Sequence, residues 1–143
     1  MNRMKISKEF SWEMAHRLRE HSGGCQNVHG HSYRMTVEIC GEPDPATGMV
    51  LDFAELGEML KPLIEELDHA FLCEARDASL IEFLKKEKMK HKIVPFRTTV
   101  ENLCGHVARA LKPGLEACSR LSEFSVTIHE TARNSGTVTV KLK

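Results

Sequence analysis

The sequence lacks several features that mark particular classes of protein. Its formal net charge is zero, which argues against nucleic acid or an anionic membrane surface as the main partner. No apolar run approaches the roughly 20 residues of a membrane span, and the N-terminal stretch has no apolar core of a signal peptide. The five cysteines are an odd number without a CxxC pair. We therefore expect free thiols and a reducing, cytoplasmic setting.

What the sequence does contain is the composition of one ordinary globular domain. Its 143 residues fit a single domain over 1–143, and a hydrophobic content of 41% can form one sizeable core. No short repeat, low-complexity tract or linker suggests a boundary.

Alternating apolar residues predict four strands, two at each end of the chain. The first pair covers residues 5–16 and 32–40, and the second pair covers the runs at 124–128 and 138–142. The sequence "RNSG" at 133–136 is typical of a hairpin turn between the last two strands.

Two helices are predicted between these strand pairs. One opens at Asp52, and the other begins near Thr98, with a capping-box glutamate at Glu101 and a stop at 113–114. The order ββααββ predicts an α+β domain, with a four-stranded antiparallel sheet and two main helices on one face. The charged segment 73–97 has no clear assignment, although "SLIEFLKKEK" favours a short helix.

Three histidines continue the apolar faces of the first two strands. His16 has the parity of the first strand, and His29 and His31 have the parity of the second. In an antiparallel hairpin all three project from the same end of one face. Three neutral nitrogen ligands with one open position are typical of a catalytic zinc site. The alternative is a turn with surface histidines.

Other candidate residues lie close to these strand and helix ends. Cys25 precedes His29 by four residues. Four roles are open to it: a fourth metal ligand, a nucleophile, a base, or an inert thiol. Asp68 and His69 form either a polarised dyad or an ordinary helix end. Glu130 ends a buried row, and a buried carboxylate needs donors. These are either two adjacent N–H groups of a guanine- or pterin-like ring or a basic side chain.

Together these motifs resemble the 6-pyruvoyl-tetrahydropterin synthase family. They follow the family order over nearly the whole chain: "EMAHRL", "CQNVHGHSY", "GMVLDFAEL", "LDHAFL", "TTVENL" and "HET". The CxxxHGH spacing is most similar to the bacterial 6-carboxytetrahydropterin-forming members of the queuosine (7-deazaguanine) pathway. One departure is Arg97, which precedes the threonines where a Pro-Thr-x-Glu-Asn run is commoner in the family.

The resemblance implies a fold, an assembly and a reaction. The fold is the tunnelling fold, in which sheets of several subunits close into a barrel, commonly as a homohexamer built from two trimers. The substrate is 7,8-dihydroneopterin triphosphate, and the products are 6-carboxy-5,6,7,8-tetrahydropterin, acetaldehyde and triphosphate. The rival products are 6-pyruvoyl-tetrahydropterin and, by aldolase-like cleavage, 6-hydroxymethyl-dihydropterin. Rivals of another class are a non-catalytic zinc- or pterin-binding module and a structural zinc site.

The resemblance also implies a role for each candidate residue. Zn²⁺ is held by three metal ligands, His16, His29 and His31. Cys25 is the general base, and His69, oriented by Asp68, transfers a proton in the pocket of a neighbouring subunit. Glu130 anchors the pterin ring, with further contacts from Thr98 and Thr99. The candidates for triphosphate binding are Arg17, Arg19 and Arg97.

Overall fold

The computed structural model describes residues 2–143, and the strands of this part form one mixed six-stranded sheet. The strands are β1 (Met4–His16), β2 (His29–Gly41), β3 (Ala70–Glu74), β4 (His91–Val94), β5 (Leu121–His129) and β6 (Ser135–Lys141). They lie in the order β4-β3-β1-β2-β5-β6. Within the described residues three α-helices join them: α1 (Phe53–Leu67), α2 (Ala78–Lys86) and α3 (Val100–Glu116).

The antiparallel half of the sheet agrees with the prediction. β1 pairs with β2, β2 with β5, and β5 with β6, all antiparallel. The hairpin between β5 and β6 turns at residues 130–134, where the Glu130 amide donates to the carbonyl oxygen of Asn134 at 3.1 Å. The α+β class is therefore confirmed.

The prediction of a purely antiparallel, four-stranded sheet is wrong. β3 pairs with β1, and β4 with β3, in parallel. β3 is almost entirely buried, so it lacks the alternation of polar and apolar residues by which a half-buried strand is recognised. β4 has only four residues and lies in a charged stretch. The sheet of this chain is open, and closure into a barrel by several subunits stays a prediction.

The main core lies between one face of the sheet and the helices α1 and α3. The buried side chains of this face include Trp12, Met14, Tyr33, Met35, Val37, Ile39, Phe124, Val126 and Ile128. They pack with the apolar stripes of α1 and α3, as the periodicity predicts. The short helix suggested by "SLIEFLKKEK" is confirmed as α2. Its Leu80 and Leu84 pack with Cys73 in a separate cluster, whereas Leu72 belongs to the main core. Since neighbouring residues of a strand point to opposite faces, α2 covers the other face of the sheet.

Both main helices begin at side-chain caps, and the cap of α1 is the residue that the sequence indicates. The Asp52 carboxylate accepts from the Ala54 amide at 2.8 Å. The cap of α3 is Thr99 rather than Thr98, since its hydroxyl accepts from the Asn102 amide at 3.2 Å. The expected stop at 113–114 is also wrong, because α3 continues through Pro113 to Glu116. Burial of Leu115 against the core holds this last turn.

Within residues 2–143, no helix has both the length and the apolar character needed to cross a membrane.

Candidate metal centre and active site

Three histidines meet at the end of the β1–β2 hairpin. In the register of the two strands His16 lies opposite His29, and His31 lies opposite Met14. The ring centroids are 4.7 Å apart for His16 and His29, 5.2 Å for His16 and His31, and 4.8 Å for His29 and His31. One nitrogen of each ring lies within 4.8 Å of the others, a spacing at which the three side chains could hold a metal ion. The predicted convergence is confirmed.

Two of these rings are oriented by backbone carbonyl groups. The Nδ1 atom of His16 lies 2.8 Å from the Thr98 carbonyl oxygen, and the Nδ1 atom of His29 lies 2.7 Å from that of Asn27. A carbonyl oxygen only accepts, so each Nδ1 carries the proton and each Nε2 has a free lone pair. Both Nε2 atoms are buried and have no hydrogen-bond partner within residues 2–143. A metal ion would supply the missing partner, so these residues fit a bound metal.

The surroundings of His16 and His31 keep these two imidazoles neutral. Burial, reinforced by the neighbouring His29 and His31, lowers the pKa of His16 to about 4, against the opposing bond to Thr98. Burial also lowers the pKa of His31, although the nearby Glu130 acts in the other direction. Neutral imidazole is the form that ligates metals, so the site is ready for a cation at neutral pH.

Two buried aromatic rings adjoin the three histidines His16, His29 and His31, which we call the histidine corner. The Tyr33 ring lies 5.4 Å from that of His31 and stacks on Trp12 at 5.6 Å. Burial, with a contribution from the Glu130 carboxylate, raises the pKa of Tyr33. Tyr33 therefore stays a neutral phenol, and the rigid pair fixes where the histidines project.

Glu130 lies directly beside the histidine corner. It follows the buried row of β5, as predicted, and its Oε1 atom is 3.8 Å from the Nε2 atom of His16. Its side chain is 22% exposed. No arginine or lysine in the described part of the chain pairs with this carboxylate, which removes the alternative of a salt bridge to a basic side chain. The carboxylate is available to a ligand that presents N–H groups.

Cys25 lies in the loop that closes the hairpin at its histidine end. We call residues 17–28 the Cys25 loop; it contains one 3₁₀ turn, Gly24–Gln26. The Leu18 amide donates to the Cys25 carbonyl oxygen at 2.7 Å, which folds the loop back on itself. The Cys25 thiol is half-buried and free. Its loop begins and ends next to two of the converging histidines.

The predicted contact between Asp68 and His69 is present in the structure. The Oδ1 atom of Asp68 lies 2.9 Å from His69 Nδ1 and accepts from the Glu13 amide at the same distance of 2.9 Å. The Glu13 bond, followed by His69, lowers the pKa of Asp68. His69 is 75% exposed, and a cavity of about 350 Å³ is lined by both His69 and His31.

The two candidate threonines occupy different environments. Thr98 is buried at 2% exposure, and its hydroxyl lies 3.2 Å from His16 Nδ1 and donates to the Arg17 carbonyl oxygen at 3.3 Å. Thr99 is half-buried and caps α3. The contact of Thr98 with His16 joins residues 82 positions apart, so no local signal in the sequence indicates it.

The three candidate triphosphate arginines all have partners within the chain. Arg17 forms two hydrogen bonds with Asp77, and Arg19 donates to the Arg76 carbonyl oxygen at 2.9 Å. Arg97 lies 3.4 Å from Glu20 on the surface. Sequence reasoning missed Asp77, which lies in the unassigned segment 73–97.

Comparison with known proteins identifies the family. The profile that matches residues 5–141 is described as 6-pyruvoyl tetrahydropterin synthase. The chain belongs to this family. The pterin synthases of this family are enzymes of the lyase type, and the resemblance inferred from the motifs is confirmed.

Individual members of the 6-pyruvoyl tetrahydropterin synthase family match over most of their length. The chain is 40% identical over 134 residues to 6-carboxy-5,6,7,8-tetrahydropterin synthase of Haemophilus influenzae, covering 89% of this chain and 92% of that protein. It is 37% identical over 122 residues to the enzyme of that name from Synechocystis, covering 77% and 95%. The solved structure of Caenorhabditis elegans 6-pyruvoyl tetrahydropterin synthase superposes with a TM-score of 0.73 at 30% identity, covering 98% and 97%.

Proposed function

We propose that this protein is a zinc-dependent 6-carboxy-5,6,7,8-tetrahydropterin synthase of queuosine biosynthesis. It converts 7,8-dihydroneopterin triphosphate into 6-carboxy-5,6,7,8-tetrahydropterin, acetaldehyde and triphosphate. The observation that carries the proposal is the histidine corner, where His16 and His29 each present a buried, unpartnered Nε2 beside the Cys25 loop. Relatives of that name at 40% and 37% identity support this product.

His16, His29 and His31 would hold the zinc ion. Histidine nitrogen is a preferred zinc ligand, and structural zinc sites usually use four protein ligands with more cysteine. A bound zinc ion supplies Lewis acidity, which makes protons of the substrate's hydroxylated side chain easier to remove. The carbonyl groups of Thr98 and Asn27 keep the His16 and His29 rings in the ligating tautomer.

Cys25 acts as the general base toward the substrate side chain. A thiolate is the competent form, and a cation beside it favours that form. The loop geometry supports this role, because the thiol is half-buried, free, and carried by a loop that begins and ends at two of the histidines. Proton removal at the side chain starts the loss of triphosphate.

His69 transfers a proton on the other side of the substrate. The Asp68 carboxylate, whose Oδ1 atom lies 2.9 Å from His69 Nδ1, orients its ring. The exposure of His69 leaves it accessible to a second copy of the chain, which supports a site completed by a neighbouring subunit in a hexamer built from two trimers. The exposed edge strands β4 and β6 support the same assembly.

Glu130 anchors the pterin ring. Its two carboxylate oxygens accept from the 2-amino group and the adjacent ring N–H, a two-pronged contact that fixes the ring beside the histidines. Thr99, at the start of α3, adds a ring or backbone contact. Thr98 is committed to the ring of His16 and to the Arg17 carbonyl oxygen, so its contribution to the pterin is indirect.

The overall reaction consumes one water. Loss of triphosphate with internal redistribution of hydrogen gives a side chain with two adjacent carbonyl groups, and water then cleaves the bond between them. One carbonyl carbon leaves as part of acetaldehyde, and the other stays on the ring as the carboxylate. A family member that stops before this cleavage releases 6-pyruvoyl-tetrahydropterin. The Caenorhabditis elegans relative is named after this product.

The product decides between these activities. We expect zinc-loaded protein incubated with 7,8-dihydroneopterin triphosphate to yield a pterin with the mass of the 6-carboxy compound, together with acetaldehyde. Release of 6-pyruvoyl-tetrahydropterin or 6-hydroxymethyl-dihydropterin would replace the proposed reaction with one of its rivals. An unchanged substrate with fully loaded protein would favour a non-catalytic zinc- or pterin-binding module.

A further inference from the structure

The Cys25 loop is fastened at its base to the start of α2. Asp77, the residue before α2, is only 2% exposed, and it accepts from Arg17 Nε at 2.7 Å and from Arg17 Nη2 at 2.6 Å. This two-pronged geometry fixes both side chains in position and orientation. Arg17 is the first residue of the loop and follows the histidine that ends β1.

A second contact lies two residues further along the loop. Arg19 donates to the Arg76 carbonyl oxygen at 2.9 Å, and its Nε atom lies 3.8 Å from Asp77. Between the two arginines, the Leu18 amide donates to the Cys25 carbonyl oxygen at 2.7 Å. Residues 17–19 therefore connect the start of α2 directly to the backbone of Cys25.

Because Asp77 is buried, its carboxylate depends on the contact with Arg17. A carboxylate withdrawn from water needs a partner, and removal of that partner leaves a buried charge without compensation. The loop therefore keeps the one geometry in which both prongs of Arg17 are engaged. Because the Arg17 guanidinium is paired with Asp77, it is not free to bind triphosphate.

We propose that Asp77 is a positioning residue that holds the Cys25 loop, and with it the Cys25 thiol, in its working place through Arg17. This gives a function to the segment 73–97, which the sequence leaves unassigned. The effect on turnover rests on the proposed role of Cys25 as the base. The effect on the loop rests on the contacts alone.

The test compares Asp77→Asn with the matched control Glu74→Gln. Glu74 is also buried in this segment, and its side chain pairs with the Arg76 guanidinium at 2.7 Å. Glu74→Gln leaves in place the Arg76 carbonyl oxygen that binds Arg19, and the Asp77 carboxylate that binds Arg17. We expect Asp77→Asn to raise the rate of Cys25 alkylation by iodoacetamide and the exchange rate of the Leu18 amide by about tenfold. Zinc content stays unchanged, kcat falls, and KM changes little. Glu74→Gln retains wild-type values.

A variant on the other side of the contact covers the case in which Asp77→Asn does not fold. Arg17→Lys keeps the positive charge but loses the pair of hydrogen bonds to Asp77. We therefore expect smaller increases in Cys25 alkylation and in Leu18 amide exchange. Wild-type alkylation and amide exchange in the folded variants would overturn the proposal. A wild-type protein without pterin turnover would refute the proposed function alone, because alkylation and exchange still report on the loop.

Discussion

The Nδ1 atom of His16 lies 2.8 Å from the carbonyl oxygen and 3.2 Å from the hydroxyl of Thr98, a residue 82 positions away. This contact places the proton of the ring on Nδ1 and leaves the lone pair of the buried Nε2 free for a metal ion. Thr98, which the resemblance places against the pterin ring, thus contacts and orients the ring of His16, our proposed metal ligand. Metal binding at this site therefore depends on the groups that hold the histidine rings in place as well as on the histidines.

Loss of the Thr98 hydroxyl should weaken zinc binding. We expect Thr98→Val to lower zinc affinity about tenfold, because outer partners of metal ligands contribute on this scale. Thr98→Ser, which keeps the hydroxyl, should bind zinc like the wild type. Thr99→Val is the matched neighbour: it loses the helix cap and about 1 kcal/mol of stability, with unchanged zinc affinity. Competition with a chromogenic chelator measures all three, and equal affinity of Thr98→Val and wild type would show that the carbonyl oxygen of Thr98, and not its hydroxyl, orients the ring.

Removal of one ligand should empty the metal site. We expect His31→Ala to lose both bound zinc and turnover, because two histidines alone hold zinc weakly. His91→Ala is the control, since His91 lies on β4 and its Nδ1 atom bonds to the Met89 carbonyl oxygen. Metal analysis of the purified variants gives the answer. Stoichiometric zinc in His31→Ala would contradict the ligand assignment.

Replacement of Cys25 should separate metal binding from chemistry. We expect Cys25→Ala to keep its zinc and to lose turnover, because the base is gone while all three histidines remain. Cys40→Ala, which changes another half-buried thiol, should behave like the wild type. Near-normal turnover of Cys25→Ala would show that the thiol is no base, and loss of its zinc would make Cys25 a ligand.

Replacement of Glu130 should affect the substrate rather than the metal. Glu130→Gln exchanges one acceptor oxygen for an amide group that faces a donor of the ring, so we expect KM to rise about a hundredfold. Glu101→Gln changes an exposed glutamate of α3 and serves as the control. Steady-state kinetics with parallel zinc analysis checks both. An unchanged KM would exclude Glu130 as the anchor of the ring.

The Asp77 contact should make stability depend on pH. Hydrogen bonds from Arg17, with a weaker contribution from Arg19, hold the pKa of Asp77 below its usual value, and burial opposes them. The Cys73 thiol, which also faces Asp77, has a pKa raised by burial to about 11, so it stays neutral throughout. A carboxylate with a lowered pKa stabilises the fold above its unfolded pKa, and this contribution is lost as pH falls through the folded pKa.

Denaturant unfolding of wild type and Asp77→Asn over a range of pH measures this contribution. We expect the variant to be less stable by about 2 kcal/mol at pH 7, the scale of hydrogen bonds to a charged group, because the Arg17 side chain left without its partner is 26% exposed and water can solvate it. The difference should shrink as pH falls below about 4, the ordinary pKa of an aspartate. A difference that is constant down to low pH would show that the carboxylate charge plays no part.

The parts of this account that could be predicted rest on regular periodicity. Strands β1 and β2 alternate over their whole length, so parity alone indicates that His16, His29 and His31 share one face and one end. The buried strand β3 has no such alternation, so periodicity indicates neither β3 nor its short neighbour β4. The parallel pairings of β3 with β1 and β4 join separate segments of the chain, so no local sequence pattern indicates them.

The sequence pattern also does not indicate the residues that hold the site in place, because their contacts join distant parts of the chain. Thr98 and Asp77 act on the end of β1 from 82 and 60 positions away. Their residue types suit other roles equally well, as a ring contact or a helix cap. Only packing shows which role each one has.

The ligands of bound zinc decide whether three histidines hold an open metal site. X-ray absorption at the zinc edge of the loaded wild-type protein should show three nitrogen ligands at about 2.0–2.1 Å and one exchangeable oxygen. A sulfur ligand at about 2.3 Å, or a fourth ligand from the protein that persists with substrate bound, would contradict an open catalytic site held by three histidines.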